Sequence, residues 1–310
     1  LITDFSVLLN LIDLDTLCIM ENPAENLSVI GECTGILRLN IQGMNLTDID
    51  FLKNLSLDYL DMSNVEVENN IFEPLAEMKK LDTLCMCDVN EAAAETLSQM
   101  STLKALFMWG DSTILENLKP LKGMTQLETL AFTTQISSLE GIEQFPSLNF
   151  LSVSFSLVKD LSPVTGAKNL QVIDISNADI ENFEPLFGHS GLTEVHCTEG
   201  QKEKIMKIDS SPDFEIYTQK GTKLSRSKMG RYGTLNSIIS AFKLWISHQI
   251  TDSGKDQKKQ PRVLTEGRYE QERGVRRNER NRRNHGNDKR GRRRIFCKGT
   301  RKQGRGRALS

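Results

Sequence analysis

Apolar and polar residues alternate over short stretches of this chain, then loosen into wider spacings, and the two patterns recur together. In "LQVIDISNADIENFEPLFGHSG", residues 170 to 191, Leu170, Ile173 and Ile175 set a short run, after which Ile180, Phe183 and Leu186 fall at longer intervals. The same L-x-x-L-x-L skeleton opens at Leu14, Ile36, Leu57, Leu81, Leu103, Leu127, Leu148, Leu170 and Leu192, a period of about 22 residues. Within each skeleton the fourth and sixth places alternate as a strand does, so Ile173 and Ile175 turn inward while Asp174 and Ser176 face out. The later apolar places close the other side of the coil through a short 3₁₀ or irregular turn. One coil cannot cover its own apolar face, so neighbours must stack and share a continuous core.

The predicted fold is α/β: a curved repeat solenoid over residues 1–217 with a parallel sheet on its concave face. "VKDLSPVTGAKNLQVIDIS", residues 158 to 176, resembles the D-L/I-x-P-L turn and L-x-x-L-x-L strand of internalin-like bacterial leucine-rich repeat proteins. Pro74, Pro120 and Pro185 repeat the turn residue, whose fixed φ and missing N–H suit the first position of a tight helical turn. The resemblance covers roughly residues 14 to 200; it implies the solenoid fold and a binding role. The sequence departs from it at the ladder Asn, three residues after the sixth place, which is matched at Asn22 and replaced by Met44, Val65, Val89, Asp111, Gln135, Ser156 and Ala178. Other groups must then satisfy the turns, because an unpaired buried polar group costs about 1 to 3 kcal/mol.

Residues 1 to 13 fit either a short helix covering the first coil, with Asp4 as cap and Phe5, Leu8, Leu9 and Ile12 apolar, or a repeat whose start is missing. "DFEIYTQKG" is placed as a final edge strand. Residues 218–252 read as a basic linker followed by an amphipathic helix, with Leu235, Ile238, Ile239, Phe242 and Trp245 or Ile246 at helical spacing. That helix suits the open end of the solenoid, a partner, or a membrane surface. Residues 253–310 are too polar and Arg-rich to build a core and are expected to be disordered, unless the composition shift reflects a fused or shifted reading frame.

Charge divides along the same line. Residues 1–200 hold 30 acids and 9 bases, and residues 201–310 hold 11 and 30, so the net charge of −2 conceals an acidic body and a basic tail. The six cysteines have no paired C-x-x-C spacing, which favours reduced thiols and a cytoplasmic setting over the cell surface, with the compartment otherwise open. The chain opens on Leu1, as a fragment or processed product would, and no apolar run approaches the roughly 20 residues that span a bilayer.

Function is expected on the outward strand positions, since the inward ones are committed to packing. Phe107 and Trp109 should face solvent side by side, with Tyr59, Phe150 and Phe155 on the same wall and acids around them, Asp58, Asp61, Asp82, Asp88, Asp111, Glu128 and Asp174. A slip of one residue in the fifth coil would instead turn Trp109 into core. Aromatics at the centre of a wall with a charged rim suit a basic protein or peptide ligand contacting Tyr59, Asp61, Cys85, Phe107, Trp109, Phe150, Phe155 and Asp174. The alternative is nucleic-acid binding through the Arg-rich tail, driven by phosphate charge. Cys85 and Cys87 are too few for a tetrahedral metal site. His196 and Cys197 point to opposite faces, no phosphate loop occurs, and neither catalysis nor a cofactor is expected.

Overall fold

The computed structural model describes residues 4–24, 27–67, 72–87, 89–110, 115–133 and 135–218, together with the backbone of Arg293–Phe296. The skeletons form strands: β1 Leu14–Cys18, β2 Arg38–Asn40, β4 Tyr59–Met62, β6 Thr83–Cys87, β7 Ala105–Trp109, β8 Thr129–Phe132, β9 Phe150–Ser152, β10 Val172–Asp174 and β11 Glu194–Cys197. Between them lie the short strands β3 Asn45–Leu46 and β5 Glu66–Val67, which pair with each other, and beyond them β12 Glu215–Thr218 and β13 Arg293–Phe296. The main sheet is parallel and eleven-stranded, in the spatial order β12, β11, β10, β9, β8, β7, β6, β4, β2, β1, β13. Sequence order and spatial order coincide from β1 to β12, as a coil that returns once per repeat requires.

Register follows the fourth place of the skeleton. Leu17, Leu39, Leu60, Leu84, Leu106, Leu130, Leu151, Ile173 and Val195 stand opposite one another in unbroken succession, and each is at most 1% exposed. Burying a side chain of this size contributes about 1.5 to 3 kcal/mol, so this one ladder is a large part of the core. The opposite side of each coil closes in 3₁₀ turns at Ser6–Asn10, Ser28–Glu32, Asp50–Asn54, Glu73–Glu77, Lys119–Leu121, Ile142–Gln144 and Ser162–Gly166, and in the helices α1 Glu91–Ser98 and α2 Glu184–Phe187. A third helix, α3 Glu199–Ile208, follows β11. Pro74, Pro120, Pro163 and Pro185 occupy the first turn of their helices. Asp4, Asp48, Asn117, Asp160 and Asn182 each accept a hydrogen bond from the backbone N–H two residues on, at 2.8 to 3.0 Å. These side chains open the turns in the way an Asx motif does.

The N-terminal segment forms one short 3₁₀ turn that covers the first coil. Ser6–Asn10 packs on Ser28–Glu32, and Leu8, Ile30 and Leu52, each in its turn, are all buried. Phe5 and Leu8 reach the core, whereas Leu9 and Ile12 are 44% and 86% exposed. β12 adds the expected edge strand on β11. Within the Arg-rich tail, β13 pairs in parallel with β1 at the other end of the sheet; the remaining linker, helix and tail expectations lie outside the described residues.

In six coils the eighth place, just beyond the strand, has left-handed backbone: φ is 52° at Glu21, 71° at Gly43, 53° at Asn64, 106° at Gly110, 63° at Phe155 and 61° at Asn177; in the ninth, Glu199 opens α3. Gly and Asn tolerate this region, which explains why Asn64 and Asn177 stand one residue ahead of the family's ladder Asn. The absent ladder is replaced piecemeal. Asn22 accepts from the Ala24 N–H at 3.2 Å, and Ser156 donates to the Val153 carbonyl at 2.7 Å while accepting from the Val158 N–H at 3.3 Å. Gln201, buried on α3, donates to the carbonyls of Ile175 and Ala178 at 2.8 and 2.9 Å. The Met44 carbonyl is met by the Glu66 N–H.

Two substitutions test this account. Leu106→Ala should lower unfolding free energy by about 2 to 5 kcal/mol, read from chemical denaturation. Exposed Glu21 carries a Cβ in left-handed backbone, so Glu21→Asn should raise the unfolding free energy by up to about 1 kcal/mol, seen as a higher denaturation midpoint.

Candidate binding surface

Residues at the third, fifth and seventh places of each coil stand on the sheet face turned away from the leucine ladder. On β7 these are Ala105, Phe107 and Trp109, and the two rings stack with centroids 5.8 Å apart and planes 27° from parallel. Cys85 and Ala131 on the adjoining strands, with partly buried Tyr59 and Cys87, complete a cluster separate from the main core. Trp109 pairs with Cys87 in register, so the fifth coil does not slip and Trp109 belongs to the outer wall.

Exposure departs from expectation. Phe107 is 0% and Trp109 1% exposed, although both are on the outer face. The dryness extends along the wall: Thr83, Cys85, Thr129, Ala131, Phe150, Ser152, Val172, Asp174 and Ser176 are all buried. At the ends the wall is wetter, with Arg38 and Glu215 exposed and Asn40, Asp61 and Glu194 half-buried. Alternation between a dry core face and a wet outer face, the ordinary signature of such a strand, therefore survives on β2, β4 and β12 and disappears between β6 and β10. The Trp109 Nε1 and Thr133 Oγ1 atoms are buried in this zone without a hydrogen-bond partner. Such donors are retained at a cost and suit a ligand's acceptors.

The acids fall into two groups. Asp61 and Asp174, both expected to meet a ligand, are engaged within the sheet. Their Oδ1 atoms accept from the N–H of Ser63 and Ser176 at 3.0 and 2.9 Å, and their Oδ2 atoms accept from Asn40 Nδ2 at 3.1 Å and Ser152 Oγ at 3.3 Å. Asn40 and Ser152 cap the backbone in the same way, so the fifth place carries a second, polar ladder that alternation alone did not reveal. On the strand-entry rim, Asp58 meets Arg38 at 3.5 Å and Asp82 meets Lys104 at 3.4 Å. Of the other aromatics, Tyr59 packs beside the ring pair and its hydroxyl lies 3.9 Å from Cys85 Sγ. Phe150 is buried on β9. Phe155 is only partly buried and lies beyond the end of its strand, in the left-handed turn. Asp88 and Asp111 lie outside the described residues.

No family model matches the chain. Among solved structures it is similar to internalin C2 of Listeria monocytogenes, with 22% identity over 59% of this chain and 80% of that one at a TM-score of 0.47. Internalin F of the same organism matches with 19% identity over 74% of this chain and 76% of that one, at a TM-score of 0.48. The ectodomain of the plant receptor kinase GASSHO1/SCHENGEN3 from Arabidopsis thaliana, solved in complex with Casparian strip integrity factor 2, matches with 21% identity over 62% of this chain and 25% of that one, at a TM-score of 0.43. Resemblance at this level concerns repeat architecture, which the leucine ladder establishes on its own. The chain folds as a leucine-rich repeat solenoid.

Elsewhere on the solenoid the reactive side chains serve the fold. Burial pushes the Cys85 thiol and the Tyr59 hydroxyl well above their ordinary values. Cys197 faces the core, and burial lifts its thiol to about 12, so it holds no thiolate at neutral pH. His189 bridges the Ala167 carbonyl and the Gly191 N–H, and His196 stacks on Tyr217 at 5.0 Å beside Glu194. Among the described residues no three His, Cys, Asp or Glu side chains gather as a metal requires, and no helix is long and apolar enough to cross a membrane.

The buried carboxyls make stability depend on pH. Burial raises both Asp61 and Asp174 above the ordinary carboxyl value of 3.8, against the backbone hydrogen bonds that lower them. Between the unfolded and folded values the native state holds more protons than the unfolded chain, so stability falls as pH rises through that interval. Asp174→Asn should keep the acceptor for Ser176, flatten part of this slope above about pH 4, and leave neutral-pH stability equal or higher, as thermal unfolding across pH would record.

Proposed function

We propose that this protein is a non-catalytic interaction module whose outer sheet wall, centred on Phe107 and Trp109, holds a protein or peptide segment with apolar anchors and basic flanks. The observation that carries this reading is the stacked ring pair. It sits on the opposite face from the leucine ladder, where folding alone does not call for two large aromatics, and it includes a buried indole N–H without an acceptor. Large aromatic anchors surrounded by small side chains such as Cys85, Ala105 and Ala131 form the kind of dry pocket in which a few contacts dominate affinity. The acids nearest the wall and outside its polar ladder, Asp58, Asp82 and Glu128, are half-buried, which suits cationic flanks on the ligand.

Selection from a random peptide library against the full chain should enrich sequences that combine Lys or Arg with Trp, Phe or Leu, with affinity falling as salt rises. Phe107→Ala with Trp109→Ala, which add no charge to this buried cluster, should weaken their binding by about tenfold or more while far-ultraviolet circular dichroism stays unchanged. Enrichment of acidic peptides, or binding unchanged by both substitutions, would refute this function.

A further inference from the structure

The two ends of the main sheet are unlike. Leu17 on β1 and Ile216 on β12 hold the same ladder place in the first and last strands of the stack, yet Leu17 is 1% exposed and Ile216 is half-buried. One place further on, Cys18 is buried and Tyr217 is 43% exposed. A strand at a bare sheet edge is wet in the manner of β12. β1 differs in having a further strand beside it, Arg293–Phe296. The described N-terminal residues supply no strand there, since the turn Ser6–Asn10 leads straight into β1.

The pairing is defined residue by residue. Arg293 stands opposite Leu14, Arg294 opposite Thr16, Ile295 opposite Leu17 and Phe296 opposite Cys18, with the register shifting past Asp15. Ile295 thus takes the next place in the leucine ladder. The two arginines come level with a stretch of β1 that holds Asp15 and directly follows Asp13, an arrangement of opposite charge. β12 repeats the aliphatic and aromatic pair at the far end, with Ile216 opposite Val195 and Tyr217 opposite His196. Both ends of the sheet therefore close on an isoleucine followed by an aromatic residue.

The main chain fixes the direction of recognition. The Asp15 carbonyl and the Ile19 N–H are bonded to β2, so alternation turns the N–H and C=O of Thr16 and Cys18 to the outer edge, where the main chain of Ile295 faces back. In strand addition such a row supplies affinity and alternate side chains supply specificity.

We propose that the outer edge of β1 is a strand-addition site, separate from the aromatic wall, for extended segments in which basic residues precede an aliphatic and aromatic pair, with Arg293–Phe296 as its resident ligand. An external segment of that kind binds by replacing it, parallel to β1 and in the same register. Apparent affinity for the external segment is lowered by the fraction of molecules whose own strand is in place.

A fluorescent peptide of residues 290–299 carrying Cys297→Ser is the probe, added to the full chain. Ile295→Asp with Phe296→Asp should empty the edge and let the chain bind the peptide at least about tenfold more tightly than the unsubstituted protein, whose tethered strand competes. Hydrogen exchange over residues 14–20 should rise in this variant and fall again when the peptide is added. Within the peptide, N-methylation at Ile295 should abolish binding, whereas N-methylation at Phe296, whose N–H faces away from β1, should leave it intact. Equal binding by the two chains, equal effects of the two N-methyl groups, or equal binding of a scrambled peptide overturns the proposal. So does binding lost on adding Phe107→Ala and Trp109→Ala, which places the peptide on the wall. Head-to-tail association of the emptied chain in sedimentation also overturns it, by assigning β12 of a second copy to the edge.

If the double variant unfolds, benzoylphenylalanine in place of Phe296 in the otherwise unsubstituted chain decides instead. Crosslinks to residues 14–20 within one molecule support the proposal, and crosslinks elsewhere or between molecules overturn it.

Discussion

Burial of one aliphatic side chain per coil, at the fourth place of the strand, is the constraint on which the other features depend. Leu17 through Val195 reach almost complete burial because each has a like neighbour above and below in register, and a single coil offers no other partner. That requirement sets the repeat length, forces the strands parallel, and leaves the chain to cross the opposite side of the coil in a few residues. The crossing is short enough that 3₁₀ turns opened by Asp or Asn side chains suit it better than full helices. It also fixes where the backbone must reverse, which is why the eighth place takes left-handed φ even where Glu21 or Phe155 must adopt it.

The same constraint frees the outer face of the sheet from packing duties. What stands there is partly structural, since Asn40, Asp61, Ser152 and Asp174 tie the strand ends to their own backbone. The remainder, the ring pair and the small residues around it, has no part in the leucine ladder. Structure and recognition thus share a strand while using alternate residues, and a change on one face need not disturb the other.

Much of this was legible in the sequence, and the limits have physical causes. The L-x-x-L-x-L spacing located the nine repeat strands, β1, β2, β4 and β6 to β11, because inward positions admit only apolar residues of one size. The proline turns were readable for a similar reason, as φ near −65° admits few alternatives. The left-handed eighth place was less visible: Gly43, Asn64, Gly110 and Asn177 mark it, but Glu21 and Phe155 blur the signal. Side-chain partners were hidden altogether. Nothing in the spacing distinguishes an aspartate that caps its own strand from one that awaits a ligand, and Asp61 and Asp174 proved to be of the first kind. Which face the rings occupy was correctly placed by alternation. Their burial was not, because exposure depends on what lies above the sheet and a two-residue period describes only the sheet itself.

The pairing of β13 with β1 has a kinetic consequence. A solenoid of this kind assembles from contacts about one repeat apart, so its folding entropy is paid in small, local steps. The contact between Leu14–Cys18 and Arg293–Phe296 joins the first and last described strands, and its closure entropy is the largest among the described strand pairings. It should form after the stack and open before it. A strand of four residues that comes last and leaves first makes the N-terminal edge of the sheet a place where main-chain hydrogen bonds are exchanged while the rest of the solenoid stays folded.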